Sequence, residues 1–286
     1  MSVINTNVNS LIAQNAVTTN ARALSKAMEQ LSTGKRINGS KDDAAGLSIS
    51  QIMTAQIRGL NQAIRNANDG ISLLQTADGA MVEQSNMLQR MRELAVQAAT
   101  DTVTPEQKSY LNQEYEALRD EIDRIGASTQ WNGENLLDAS GGTDGDGVYN
   151  FQVGANSGQT ISVTIVNADT AAGGLYVGLS ASKIYDIANG TETTFANGAI
   201  DDIDAALVLA NEQRAAIGAG INRLTYAADN LANVSMNTSA SRSRIEDTDY
   251  AQASTELART QIIQQAATAM LAQANQSPQS VLALLK

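Results

Sequence analysis

The chain has 286 residues, enough for one or two domains with a sizeable core, yet only 3% are aromatic, with one Trp and two Phe. Its apolar 43% is carried by Ala, Leu, Ile and Val, which suits closely packed helices better than a thick two-layer core. A formal net charge of −11 repels a phosphate backbone and sets nucleic acid aside, while the absence of Cys and His removes thiol nucleophiles, disulfides, Cys/His zinc sites and the usual general base.

The opening residues, Met1-Ser2-Val3-Ile4-Asn5-Thr6-Asn7, carry neither a basic n-region nor an apolar h-region, so no ordinary secretory signal is visible. No apolar run approaches the ~18 residues of a membrane span. Val17, Ala21, Leu24, Met28 and Leu31 form one helical stripe, broken at Thr33-Gly34. Asp42-Asp43 then precedes a helix. It reads as a start signal, with Ser40 as N-cap and Asp43 as its capping-box residue, rather than as an acid–base pair or a metal site.

From Met53 the apolar positions Ile57, Leu60, Ile64, Ala67, Ile71 and Leu74 step by four and three, and the register persists through Met81, Leu88 and Ala95. A sustained 3.5-residue repeat is the seam of a coiled coil, and a helix over 43–99 would run about 85 Å. Asp78, Ser85 and Arg92 interrupt the alternate seam positions, so one face of the second half is wet or meets another chain. Gln89-Arg90-Met91-Arg92-Glu93-Leu94-Ala95-Val96-Gln97 reads, as a bare pattern, as a solvated face with an Arg90–Glu93 pair.

Thr104-Pro105-Glu106-Gln107 has every mark of a helix start: cap, Pro at the first position, Gln three residues after the cap. The helix repeats Leu111, Tyr115, Leu118, Ile122 and Ile125, with Gly126 as its expected stop, and the short link before it favours antiparallel pairing with the preceding helix. The period changes from about Trp131. Val148–Val153, Ile161–Ile165 and Leu175–Leu179 alternate between Gly- and Asn-rich breakers, which predicts three short strands in a region of hairpins. Thr143-Asp144-Gly145-Asp146-Gly147 reads as a turn rather than a calcium loop, since the bidentate glutamate is missing.

Helix returns near Ala199, with Asp201-Asp202-Ile203-Asp204 at its start and a seam of Ile203, Leu207, Ala210, Ile217, Ile221, Leu224, Ala228 and Leu231. Gly218-Ala219-Gly220 would let a neighbour approach closely. Ile262, Ile263, Ala266, Ala267, Ala269, Met270 and Leu271 are apolar almost all round, and a helix of that kind must be covered on every side. One partner helix cannot do that, so other copies are expected to. Ser277-Pro278 reads as a second helix start before the apolar tail Val281-Leu282-Ala283-Leu284-Leu285. No P-loop, dinucleotide-binding glycine fingerprint, nucleophile elbow or zinc-protease motif occurs. No catalytic, cofactor-binding or metal-ligating residue is nominated, and the chain is expected not to be an enzyme.

The fold expected is mainly α, a long antiparallel coiled-coil or helical bundle formed by both chain ends, with a small β-hairpin region in the middle. Both ends closely resemble bacterial flagellin. The resemblance is carried by Ile4-Asn5-Thr6-Asn7, by Gln30-Leu31-Ser32-Thr33-Gly34-Lys35-Arg36-Ile37-Asn38, by Lys41-Asp42-Asp43-Ala44-Ala45-Gly46, by Arg65-Asn66-Ala67-Asn68-Asp69-Gly70-Ile71-Ser72 and by Leu88-Gln89-Arg90 with Arg92-Glu93-Leu94-Ala95-Val96-Gln97. At the other end it rests on Ser241-Arg242-Ser243-Arg244-Ile245-Glu246-Asp247-Thr248-Asp249-Tyr250-Ala251 and Ser280-Val281-Leu282-Ala283-Leu284-Leu285-Lys286. Residues 140–200 carry no comparable match.

The resemblance implies a flagellar filament subunit used in motility, exported unfolded through the flagellum's own type III apparatus to an extracellular filament. It implies an inner coiled coil from 1–43 and 236–286, a helical rod from 44–140 and 198–235, and a variable outer segment over 141–197, much of which (150–190) should tolerate deletion, whereas loss of 278–286 should prevent polymerisation. The polymerisation core would include Val17, Leu24, Met28, Leu31, Ile262, Ile263, Met270, Leu271, Leu282, Leu284 and Leu285. The implied partners are copies of the chain itself, the export apparatus, a flagellin chaperone, the filament cap and hook-associated junction proteins, with neither membrane nor nucleic acid. A host Toll-like receptor is a further implied partner, through Arg90, Leu94 and Glu114 with Gln89 and Glu93 beside them. The alternatives are a hook–filament junction protein and, disfavoured by a short insert without histidine, a flagellin with an enzymatic insert.

Overall fold

The computed structural model describes residues 7–142, 145–171, 174–180, 182–185 and 192–283, and the side chains of all of these but 192–194 and 277–283. The protein is mainly α. Among the described residues five long helices, α1 (Val8–Thr33), α2 (Ala44–Ala98), α3 (Pro105–Ser128), α4 (Glu192–Glu246) and α5 (Tyr250–Ala283), frame two small antiparallel hairpins. The hairpins are β1 (Gln130–Trp131) with β2 (Glu134–Asn135), and β3 (Val148–Gln152) with β4 (Thr160–Thr164). The chain divides into two compact units, one from residues 1–57 and 236–286, the other from residues 58–235.

In the second unit the predicted seam of α2 is the core: Leu74, Met81, Leu88 and Ala95 are fully buried, together with Met91 and Leu94. Two helices pack antiparallel against it. On one side Gln84 and Arg90 of α2 reach Ile122 and Glu114 of α3. On the other, Asn61, Asp78 and Arg92 meet Ser235, Arg214 and Asp204 of α4. The polar interruptions of the seam are therefore met within the chain: Asp78 takes Arg214 at 3.0 Å and Arg92 grips Asp204 at 2.6 Å, while the Ser85 hydroxyl donates to the Met81 carbonyl. These ion pairs are half-exposed and contribute little stability, about 0–1 kcal/mol each. Their role is to fix register.

The Thr104 start of α3 forms as read, with Gln107 N–H donating to the Thr104 hydroxyl and the Gln107 side chain accepting from Thr104 N–H. Gly126 does not end the helix. It lies buried inside α3, where a Cβ would stand 3.0 Å from the carbonyl oxygen of Ala168, so its missing side chain serves a close approach and not a turn. Similarly, only Gly220 of the Gly-Ala-Gly run receives a neighbour, the Val163 side chain; Gly218 faces open space.

The hairpin β1–β2 was not anticipated, although its Asn132-Gly133 turn is a strong hairpin signal: both residues take positive φ, 51° and 86°, as a type I′ turn demands. β3 and β4 pair with Tyr149 opposite Val163, both buried, and Phe151 opposite Ile161. The third predicted strand is absent. Leu175 and Tyr176 donate their N–H groups to Asn167 and Asp169, Val177 turns back to Gly174, and residues Val177–Ser180 form a 3-10 turn. Asp146 and Gly147 of the expected turn are present, whereas Thr143 and Asp144 lie outside the described residues.

This middle segment is not a free appendage. Val163, Ile165, Ala168, Tyr176, Leu179 and Ile184 are buried in the same cluster as α2, α3 and α4. A polar hub ties it in. Gln84, fully buried, donates to Ile122 O at 3.1 Å and to Ala168 O at 2.9 Å, and accepts from the Tyr176 hydroxyl at 3.3 Å. Asp123 receives both the N–H and the hydroxyl of Thr170 at 2.8 Å. Deletion across 150–190 would remove these buried contacts, so it is expected to destabilise the second unit.

In the first unit, α1 ends at Gly34, whose φ of 71° is left-handed and whose N–H closes on Gln30 O. Gly34 and Arg36 then bond across to Thr248 and Glu246, so the α1–α2 link and the α4–α5 link are stitched together as strand-like partners. The N-cap of α2 is Asp43 and not Ser40: its carboxylate accepts from Gly46 N–H at 2.9 Å. Asp42 instead folds the link, accepting from Asn38 and Gly39 and pairing with Lys26 at 3.1 Å. The hydrogen bond to Lys26 is the main reason its carboxyl sits below the ordinary range. Helix α4 begins at Glu192, ahead of the expected Ala199, and runs on to Glu246. Helix α5 begins at Tyr250, capped by Asp249, and does not restart at Ser277-Pro278 but continues to Ala283.

Candidate functional site

Two surfaces gather the residues that the sequence singles out. The first is the α1–α5 pair. The two helices run antiparallel, held in register by side-chain amides: buried Asn20 Nδ2 donates to Thr260 O at 2.8 Å and to Gln264 Oε1 at 2.9 Å, and half-buried Asn7 Nδ2 donates to Ala274 O at 2.7 Å. Polar layers specify alignment because a slip would leave them without partners.

Apolar cover is incomplete. Val17, Leu24, Leu31 and Leu271 are half-buried, but Met28 is exposed, Ile263 is on the edge of exposure, and Ile262 and Met270 keep 66% and 67% of their surface. Ala266 and Ala269 are exposed as well. Leu282 falls where side chains are not described, and Leu284 and Leu285 lie outside the described residues. Three apolar residues not anticipated, Val8, Leu11 and Ile12, are also more than half exposed at the start of α1. Their signal, an apolar triplet upstream of the Val17 stripe, was readable. Ile12, Ala13, Ala16, Ala267 and Met270 line an open groove between the helices. Full burial of one such side chain is worth about 1.5–3 kcal/mol, so two-thirds-exposed Ile12, Ile262 and Met270 each hold roughly 1–2 kcal/mol in reserve.

The second surface lies on α2 and α3. Arg90 bridges both helices, with Nε and Nη2 on Glu114 Oε1 at 3.0 and 2.9 Å and Nη1 on Glu93 Oε2 at 2.9 Å. The hydrogen bonds to Glu93 and then Glu114 raise its proton affinity further, so the guanidinium is a fixed positive charge. Gln89 is exposed beside it, and Gln89, Arg92, Glu93, Val96 and Gln97 line a shallow groove. Leu94 does not join this face. It is 1% exposed, grouped with Met91, Ala95 and Ala98 on the core stripe of α2.

Among the described residues no group of three or more His, Cys, Asp or Glu could hold a metal ion, and no helix is long and apolar enough to cross a membrane. The geometry offers apolar packing faces on α1 and α5 and an exposed charged cluster around Arg90.

Family models for the bacterial flagellin N-terminal helical region and the bacterial flagellin C-terminal helical region match residues 4–141 and 200–285. A flagellin of Halalkalibacterium halodurans is 46% identical over 284 residues, covering 99% of this chain and all of that one. A Bacillus subtilis flagellin is 42% identical over 303 residues, covering 99% of each. A solved Vibrio parahaemolyticus structure, named as a candidate flagellar hook-associated protein, covers 72% of this chain and 100% of that chain with a TM-score of 0.60; at 15% identity this likeness shows the fold alone. With both terminal regions matched and full-length relatives well above 30% identity, the chain belongs to the bacterial flagellin family, structural subunits of the flagellar filament.

Proposed function

We propose that this chain polymerises into the extracellular helical filament that serves motility, with neighbouring copies covering the faces that α1 and α5 leave open. The observation that carries this reading is the exposure of Ile12, Ile262 and Met270 on helices that, among the described residues, pack chiefly on each other. Family membership supports the remaining partners: the flagellar export apparatus, a flagellin chaperone, the filament cap and hook-associated junction proteins. The full-length identity to flagellins favours the filament over the junction role.

Arg90, Gln89, Glu93 and Glu114 form the patch that a host Toll-like receptor reads on the monomer. Leu94 serves it from beneath, holding α2 in place. The chain does no covalent chemistry in this role.

The test replaces Ile262 and Met270 by Asp together. Both side chains are exposed in the subunit, so the second unit should keep its thermal unfolding while sedimentable polymer disappears. Normal filaments from this variant would refute the packing role of α5.

A further inference from the structure

In an α-helix the amide of residue 278 would donate to the carbonyl of residue 274. Pro278 has no N–H to donate there. Yet α5 continues through it to Ala283. The carbonyl left without its donor, Ala274 O, is the one that accepts from Asn7 Nδ2 at 2.7 Å. The oxygen of the same Asn7 amide accepts from Ser10 N–H at 3.1 Å and is the N-cap of α1. Beside it, the Ser10 hydroxyl donates to Asn275 Oδ1 at 2.8 Å.

We infer that Asn7 is the positioning residue that carries α5 across Pro278, so that the final helical turn forms only when the start of α1 is docked on it. One primary amide works at both chain ends, its oxygen on α1 and its nitrogen on α5. This accounts for the choice among equally good N-caps: Asp would cap α1 but cannot donate, and Ser caps with a shorter side chain that carries no amide. The contact joins residues 267 apart in sequence, so it makes the last turn of the chain report on the first. The proposal rests on the filament reading for its first readout and deepens it by naming what sets the register of the terminal pair.

The test is a double-substitution cycle on the full chain, read as the critical concentration for self-assembly by sedimentation. Asn7→Ser keeps a cap and removes the donor, and should raise the critical concentration about fivefold. In a Pro278→Ala background residue 278 supplies its own N–H, and the same Asn7→Ser change should shift it by less than about twofold. Asn7→Asp should follow the same pattern. Equal shifts in both backgrounds, or no shift with Pro278 present, would overturn the assignment. A wild-type chain that never pellets overturns the filament reading instead. In that case, or if Pro278→Ala fails to assemble, amide exchange of residues 279–283 decides: faster exchange in Asn7→Ser than in wild type supports the role of Asn7, and equal exchange sinks it.

Discussion

Replacing Gln84 by Leu fills most of the same space but removes three hydrogen bonds at a site with no solvent access. The consequences differ by partner. Ile122 O stays within the hydrogen-bond ladder of α3, so it loses only a second donor. Among the described residues Ala168 O and the Tyr176 hydroxyl have no second partner, and Tyr176 is 1% exposed. Each buried polar group left without a partner costs about 1–3 kcal/mol, so the substitution should destabilise the second unit by roughly 2–6 kcal/mol. With a urea slope of about 1–3 kcal/mol/M, the unfolding midpoint should fall by on the order of 1 M or more. Trp131, the single tryptophan, packs against the same cluster and supplies the fluorescence signal. Adding Tyr176→Phe removes the orphaned hydroxyl and should recover about 1–3 kcal/mol. An unchanged midpoint in Gln84→Leu, or two losses that simply add, would refute the hub.

Two further outcomes follow from the same geometry. Burial raises the phenol pKa of Tyr115 and Tyr176 above the ordinary 10.0, so below that pH both are protonated in folded and unfolded chains alike and their contribution is fully present. As pH rises from 10.0 through the raised folded values, unfolding lets them ionise and stability falls. Near-ultraviolet tyrosinate absorbance should show these two titrating late and together with loss of helix, and ordinary titration of all seven tyrosines before unfolding would contradict their burial. Arg90→Ala breaks half-exposed pairs only, so the thermal midpoint should move by the equivalent of about 0–1 kcal/mol while filaments still form. Receptor signalling by the monomer should weaken, and unchanged signalling in a reporter assay would remove Arg90 from the patch.

The parts of the fold that repeat or carry local caps were legible. The Met53–Ala95 seam declared itself by period, and Thr104 by the chemistry of the residue three positions after it. What local reading could not supply were partners distant in sequence. Gln84 looks like any polar helix residue until Ile122 and Ala168, 38 and 84 positions away, converge on it. Gly126 reads as a stop because its buried neighbour, Ala168, belongs to a segment of different period. On the assembly surface, apolarity on all sides of α5 was readable. Which side chains remain open was not, since that depends on where α1 lies. Leu94 lies only slightly around the helix from Arg90 yet is buried, because a motif cannot say where the core stripe of α2 begins.

Closing α1 on α5 joins the two extremes of the chain, and this sets an order of events. Loop closure across 267 residues, as between Asn7 and Ala274, must precede the contacts that reward it. For a polypeptide that emerges N-terminus first from any narrow conduit, the first helix lacks its long-range partner α5 until the end of the chain has come through. The unit built from the two ends is therefore the slowest part of the protein to complete, and for the whole transit its apolar stripe stays available to whatever surface waits at the exit.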